Sequence, residues 1–452
     1  MPASPSTRLA ASGVLIALLA AAPVAQTTPA IRFSESRLAN GLRVILAEDH
    51  AAPVYSIVIH YNVGSRDERP GRTGFAHLFE HMMFKGSENV GAGEQFVLIF
   101  NNGGSMNGTT NKDRTLYYET LPANQLDLGI FLEADRMRSL AITKDNLDNQ
   151  RNAVQEERRQ GVDNQPYGRT DELLDELAYD NPAYEHSVIG SMADLNAASV
   201  ADVAAFFKTY YAPNNAVLAI VGDIDVKATL DKVRKAFEPI PSQPPPPQVD
   251  MTEPPQTAER RRSLDDPLAR LARVDIAFKV PPRVSADDDA VRVLGTVLSN
   301  GRSSRFFQKI VREQQLSPNV FAGRDSAVGP GLFQVTATVA PGKAPEAVEA
   351  AVLAEIERVK AGPIADWEME KARNNAKRTV VSGLTNSLNR ATQLAEFASV
   401  FGETGLINER VDRIARVTAA DVQRVAAAYL TMENRTVIIT RPAPATGKGG
   451  PQ

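Results

Sequence analysis

Cysteine is absent from all 452 residues. That excludes disulfides, a thiolate-bound metal and a cysteine nucleophile, so any metal must be held by His, Asp or Glu. Histidine is scarce too. Only His50, His60, His77, His81 and His186 occur, so two of them at ligand spacing carry information. Neither sign of charge dominates: 50 Lys and Arg face 54 Asp and Glu, a formal net charge of -4. With that balance spread over both halves, neither a nucleic-acid nor a membrane-surface role is expected. Long apolar runs are missing as well. Residues 13–22 (GVLIALLAAA) are too few to span a bilayer. Preceded by Arg8 and followed by small residues to Ala25, they predict an export signal over 1–25. A periplasmic or secreted protein is expected, with no membrane span once the signal is removed.

The length exceeds one typical core and suits two domains. Residues 42–46 and 54–59 read as two strands opening an antiparallel pair. Helical spacing follows over 73–84, 94–100, 123–140, 144–160 and 169–178, with a glycine-rich loop and a strand between 103 and 122. Seven prolines fall between 241 and 255, among little that could pack, and predict a linker over 241–256. Residues 442–452 are small, polar and rich in Gly and Pro, which predicts a disordered tail.

The two halves repeat. Ser199-Val200-Ala201-Asp202-Val203 opens a helix that ends at Tyr210 and precedes a strand from Asn215. These features return further along, at one constant offset, as Thr418-Ala419-Ala420-Asp421-Val422, Tyr429 and Asn434. Both helix starts pair a Ser or Thr N-cap with an Asp at the third helical position. The same offset sets residues 56–63 over 275–282. Two matches at one offset predict a duplicated domain. The expected fold is α+β: two homologous domains, 32–240 and 257–441, each an antiparallel sheet packed with helices, joined by the proline-rich linker.

His77-Leu78-Phe79-Glu80-His81 carries the chemistry. Residues four apart on a helix share a face, so both imidazoles can meet one ion. A carboxylate at Glu80 can activate the attacking water without occupying the metal. Zinc needs a third ligand, and no further His is well placed. In the helix over 144–160, Leu147, Gln150, Ala153, Val154 and Glu157 share one side at about 100° per residue. Glu156 points away from that stripe, so Glu157 is the expected ligand.

At this point the sequence resembles the pitrilysin-like (M16) zinc metallopeptidases, in the two-domain bacterial subunit form related to mitochondrial processing peptidase. Their signature is HxxEH followed at a characteristic distance by a glutamate, and the step from His81 to Glu157 has that length. The likeness extends from about residue 32 to 441. It includes 103–122 (GGSMNGTTNKDRTLYYETLP), Gln150-Arg151-Asn152 and 301–313 (GRSSRFFQKIVRE).

The resemblance implies a Zn2+ cofactor, peptide substrates paired along an edge strand, and substrate contacts from Asn107 and Arg312. The bland alternative for Asn107 is a turn-shaping role with its glycines. Where many members carry a second glutamate supporting the site, Gln150 stands here, hydrogen-bonding but uncharged. A substrate-binding Tyr expected after Arg312 is missing from Ser317-Pro318-Asn319, and Thr296 to Asn300 (TVLSN) replaces the zinc motif in the second half. A dimer is therefore expected, with a homologous subunit supplying an Arg/Tyr pair. A scaffold subunit is the competing reading, although scaffold relatives typically lack zinc ligands. A processing protease dedicated to one protein is a third.

Overall fold

The computed structural model describes residues 30–443. The export signal expected at 1–25 lies outside them, as does the expected tail beyond Ala443. The last strand, Arg435–Pro442, still enters the region expected to be tail, and the Ala443 N–H donates to the Asp266 carbonyl.

Residues 216–222 (AVLAIVG) are buried at every position. A strand without a polar face needs cover on both faces and neighbours on both edges. Accordingly, β6 (Ala216–Gly222) lies inside a six-stranded sheet ordered β1 (Ser34–Arg37), β2 (Arg43–Glu48), β6, β3 (Val54–Tyr61), β5 (Thr115–Pro122), β4 (Ser105–Thr110). This corrects the expected pairing of β2 with β3. The all-apolar β6 inserts between them, parallel to β2 and antiparallel to β3.

The second sheet runs β7 (Arg260–Asp266), β11 (Arg435–Pro442), β8 (Arg273–Val280), β10 (Gly331–Thr338), β9 (Val320–Arg324). Its one parallel pair is β7 with β11. Both sheets are thus antiparallel except at one junction each, and the protein is α+β with two sheet-plus-helix domains.

The repeat is visible in atomic detail. The Ser199 hydroxyl accepts from Asp202 N at 3.1 Å, and the Thr418 hydroxyl accepts from Asp421 N at 3.1 Å. Each Asp answers by accepting from its cap's N–H, a reciprocal box whose cap contributes about 1 kcal/mol. Strands β3 and β8 stand at the same offset as these caps, start to start and end to end.

Helices cross between the halves. Leu174 and Ala178 of the Gly168–Ala178 helix pack on Ala277, Leu332 and Ile438 of the second sheet. In return Ala391, Leu394 and Ala395 of the Ser387–Glu396 helix cover Ile45, Val58 and Ala219 of the first. Each sheet gains cover on a second face from the other half of the chain.

Residues 241–256 form no helix or strand, yet they are not loose. Glu253 accepts from Asp180 N and Asn181 N and pairs with Lys279, and Gln256 donates to the Arg435 carbonyl. Prolines remove backbone donors, so side chains and carbonyls make these ties.

Candidate metal centre

Both central histidines stand on the Phe75–Met82 helix, whose Phe75, Leu78, Phe79 and Met82 are buried in the first core. The helix opens on Gly74 at φ 86°, where an added Cβ would sit 2.5 Å from the Ile189 carbonyl oxygen. Gly74 offers no side chain to cap the helix, so the first N–H groups need an acceptor from elsewhere. Glu68 supplies it, accepting from Gly74 N at 2.8 Å and Ala76 N at 2.7 Å. His186 Nε2 lies 3.0 Å from the same carboxylate. Neither residue is evident from sequence spacing. The sequence places the helix start at 73, on a Thr; the structure moves it to Phe75 with Gly74 in the cap position, and no local signal pointed to Glu68.

Glu157, at the end of the Lys144–Arg158 helix, brings Oε2 to 3.6 Å from His77 Nε2 and 3.3 Å from His81 Nε2. The three donor atoms all lie within 4.8 Å of one another. Tetrahedral zinc with bonds of about 2.0–2.1 Å holds neighbouring ligands about 3.4 Å apart. Two imidazoles and one carboxylate are a zinc donor set of the hydrolytic kind, one ligand short of a closed tetrahedral site. Burial and the neighbouring His81 push His77 down to about 4, while the His81 hydrogen bond holds Glu157 below the ordinary carboxylate range. Neutral imidazole beside ionised carboxylate is the state a divalent cation requires. Glu156 turns away, bonded to Arg159 and Gln160 on the exposed side.

Glu80 is 8% exposed. Its Oε2 accepts from the Thr110 hydroxyl at 2.5 Å, and burial raises its pKa, which strengthens it as a base. Gly108 lies against it: a Cβ there would come within 2.9 Å of Glu80 Cγ and 3.1 Å of Oε1. Thr110 and Gly108 belong to β4, the edge strand of the first sheet. Asn107, exposed on the same strand, folds back so that its Oδ1 accepts from Gly108 N at 2.9 Å. Arg114 fixes the strand's far end through the Thr109 carbonyl at 2.5 Å.

The remaining candidates stand apart. Gln150 is buried on the Leu147–Val154 face, and its amide nitrogen donates to Asn149 at 2.5 Å without reaching the cluster. Arg312 is exposed in the second domain, donating to Gln308 at 3.2 Å, and no bond links it to the histidines. Ser317 is buried, its hydroxyl shared between the carbonyls of Asn319 and Thr338.

Among the described residues, no helix is long and apolar enough to cross a membrane. Residues 43–191 match the family model described as Insulinase (Peptidase family M16), and residues 197–376 match Peptidase M16 inactive domain. The histidine helix and Glu157 fall inside the first match and the TVLSN segment inside the second. The chain is 29% identical over 440 residues to Zinc protease PqqE of Helicobacter pylori, covering 96% of this chain and 98% of that one. It is 25% identical to the probable mitochondrial-processing peptidase subunit beta of Arabidopsis thaliana, over 87% of this chain and 75% of that one. A solved protease from Helicobacter pylori superposes with TM-score 0.87 at 28% identity, covering 91% of this chain and all of that one. With two M16 domain models side by side and relatives named zinc proteases along nearly its whole length, the chain belongs to peptidase family M16.

Proposed function

We propose that the chain is a zinc-dependent endopeptidase acting on peptides or unfolded protein segments, with zinc held by His77, His81 and Glu157. The observation that carries this reading is the approach of Glu157 Oε2 to both histidine Nε2 atoms, with buried Glu80 on the same helix. Zinc, when bound there, supplies Lewis acidity and makes water acidic enough to lose a proton near neutral pH. Glu80 takes that proton on its carboxylate and returns it to the leaving amine. Thr110 holds the carboxylate in place, and Gly108 leaves it room. The free edge of β4 pairs with an extended peptide, giving affinity through backbone hydrogen bonds with little demand on sequence. Asn107 on that edge touches the substrate, Arg312 binds it from the second domain, and Gln150, on the same helix as Glu157, supports the site as an uncharged hydrogen-bonding group.

The active unit is a dimer in which a homologous subunit supplies the Arg/Tyr pair. Support comes from the buried Ser317 turn standing where Tyr is expected and from a relative named as a subunit of a processing peptidase. Export to the periplasm or beyond rests on residues 1–25 alone.

Glu80→Gln tests the central reading. The variant should keep its zinc and its fold while peptide cleavage falls by several orders of magnitude. Retained cleavage, or a wild-type chain that binds no zinc, would sink it.

A further inference from the structure

Glu157 is half exposed and stands in the last turn of its helix, which widens at once into a π-helical turn at Arg159–Asp163. Burial does not fix its side chain there. The histidines reach it from a separate helix, Phe75–Met82. The spacing of the three donor atoms therefore depends on what joins the two helices.

One segment joins them. Residues 186–194 lie against the start of the histidine helix, where the Ser191 N–H donates to the Thr73 hydroxyl at 3.1 Å and that hydroxyl donates to Asp194 at 2.6 Å. Gly190 packs so closely on Gly74 that an added Cβ would collide with its backbone. The same segment meets the Glu157 helix through Arg158. Its guanidinium forks onto Glu172, with Nη1 2.5 Å from Oε1 and Nη2 2.9 Å from Oε2. Nη1 also donates to the Gly190 carbonyl at 2.7 Å. Ser187 closes the ring, its hydroxyl donating to Glu172 Oε1 at 2.8 Å. The side chains of Arg158 and Glu172 are only 13% and 19% exposed. A two-pronged Arg–carboxylate pair of this kind holds a fixed geometry, which a single exposed ion pair does not.

The geometry points to Arg158 as a positioning residue for the metal centre. Through Glu172 and the Gly190 carbonyl, it sets the distance between Glu157 and the helix that bears His77 and His81. The inference rests on the reading that those three residues hold zinc. Arg158 acts on the site only through its neighbours: when the fork is lost, the last turn carrying Glu157 is free to move away from the histidines. Groups that orient a metal ligand in this way account for roughly ten- to a hundred-fold of metal affinity.

The test compares zinc affinity with stability in the full chain. Competition with a chromophoric chelator gives the first, and urea unfolding of the zinc-free chain gives the second. Arg158→Met should bind zinc roughly ten- to a hundred-fold more weakly than the wild type. Glu172→Gln, which keeps the shape of the side chain, should shift affinity in the same direction. The double variant should lose no more than Arg158→Met alone, because the two side chains act as one unit. Should Arg158→Met not fold, Glu172→Gln carries the test by itself. Leu394→Ala loosens the opposite face of the first sheet and should leave zinc affinity unchanged. Affinity within about two-fold of wild type in a folded variant, whatever its loss of stability, overturns the proposal. So do losses that add in the double variant, or an equal loss in Leu394→Ala. A wild-type chain that binds no zinc, or one whose affinity Glu157→Gln leaves unchanged, sinks the zinc assignment and this inference with it, so the two failures are told apart.

Discussion

Glu68 and His186, far apart in the chain, meet at 3.0 Å under the first turn of the helix that carries both central histidines. Glu68 is withdrawn from solvent and caps that turn through Gly74 N and Ala76 N. His186 is fixed on its other side by the Pro182 carbonyl at 3.0 Å. The position of His77 and His81 therefore depends on an ion pair outside their own helix. Glu68→Ala leaves two buried donors and His186 without their partner and should cost about 3 kcal/mol or more.

The same pair sets a pH dependence. Burial disfavours the charge on His186, and the bond and field of Glu68 outweigh it, so its pKa is raised above 6.5. A raised folded value means the folded state keeps the proton longer than the unfolded chain. This contribution is full below pH 6.5 and is lost as pH rises through the folded value. Urea unfolding at pH 6 and pH 9 should show the loss, and His186→Gln should flatten it. An unchanged slope in the variant would remove His186 from the account.

His60 works in the opposite direction. Both its ring nitrogens are buried without a hydrogen-bond partner, and burial pushes its pKa down to about 4. The folded state holds it neutral, so stability falls as pH drops from 6.5 to about 4. Across that window the loss is about 3 kcal/mol. His60→Asn should make acid unfolding shallower.

Gly108→Ala tests the proposed role of Glu80 without altering His77, His81 or Glu157. The new methyl must displace Glu80 Cγ, 2.9 Å away. A misplacement of about 1 Å costs roughly a hundred-fold in turnover, so the smaller shift expected here should lower kcat by up to about that factor, with bound zinc unchanged. Near-normal kcat would show that Glu80 has room to adjust.

Neighbouring glutamates should separate cleanly in metal binding. Glu157→Gln removes a charged donor from the cluster and should weaken zinc by roughly a hundred-fold or more. Glu156→Gln breaks only surface bonds to Arg159 and Gln160 and should leave affinity and cleavage intact. Chelation should abolish cleavage and added zinc restore it. Equal effects of the two substitutions would refute the assignment.

Leu394→Ala tests the crossed helices. Leu394 belongs to the second half of the chain yet is buried against the first sheet. Its loss should cost about 2–5 kcal/mol, and a negligible cost would mean the covering helix is dispensable.

The sequence by itself determined what lies within a few residues of itself. Histidines four apart must share a helical face, the stripe through Leu147, Val154 and Glu157 selects one of two adjacent glutamates, and a Ser or Thr followed by Asp writes the same cap twice. Those relations follow from the pitch of a helix and survive any packing. Tertiary structure decided every relation between distant residues. Nothing local says that β6 separates β2 from β3, that Glu68 caps the histidine helix, or that Leu394 covers the other half's sheet. Such contacts depend on which apolar faces find each other, and many chain paths satisfy one pattern of apolar residues. The second domain shows the difference most sharply: nothing local says that Thr296, Asn300 and Ala376, which stand at the repeat's offset from His77, His81 and Glu157, line one cavity.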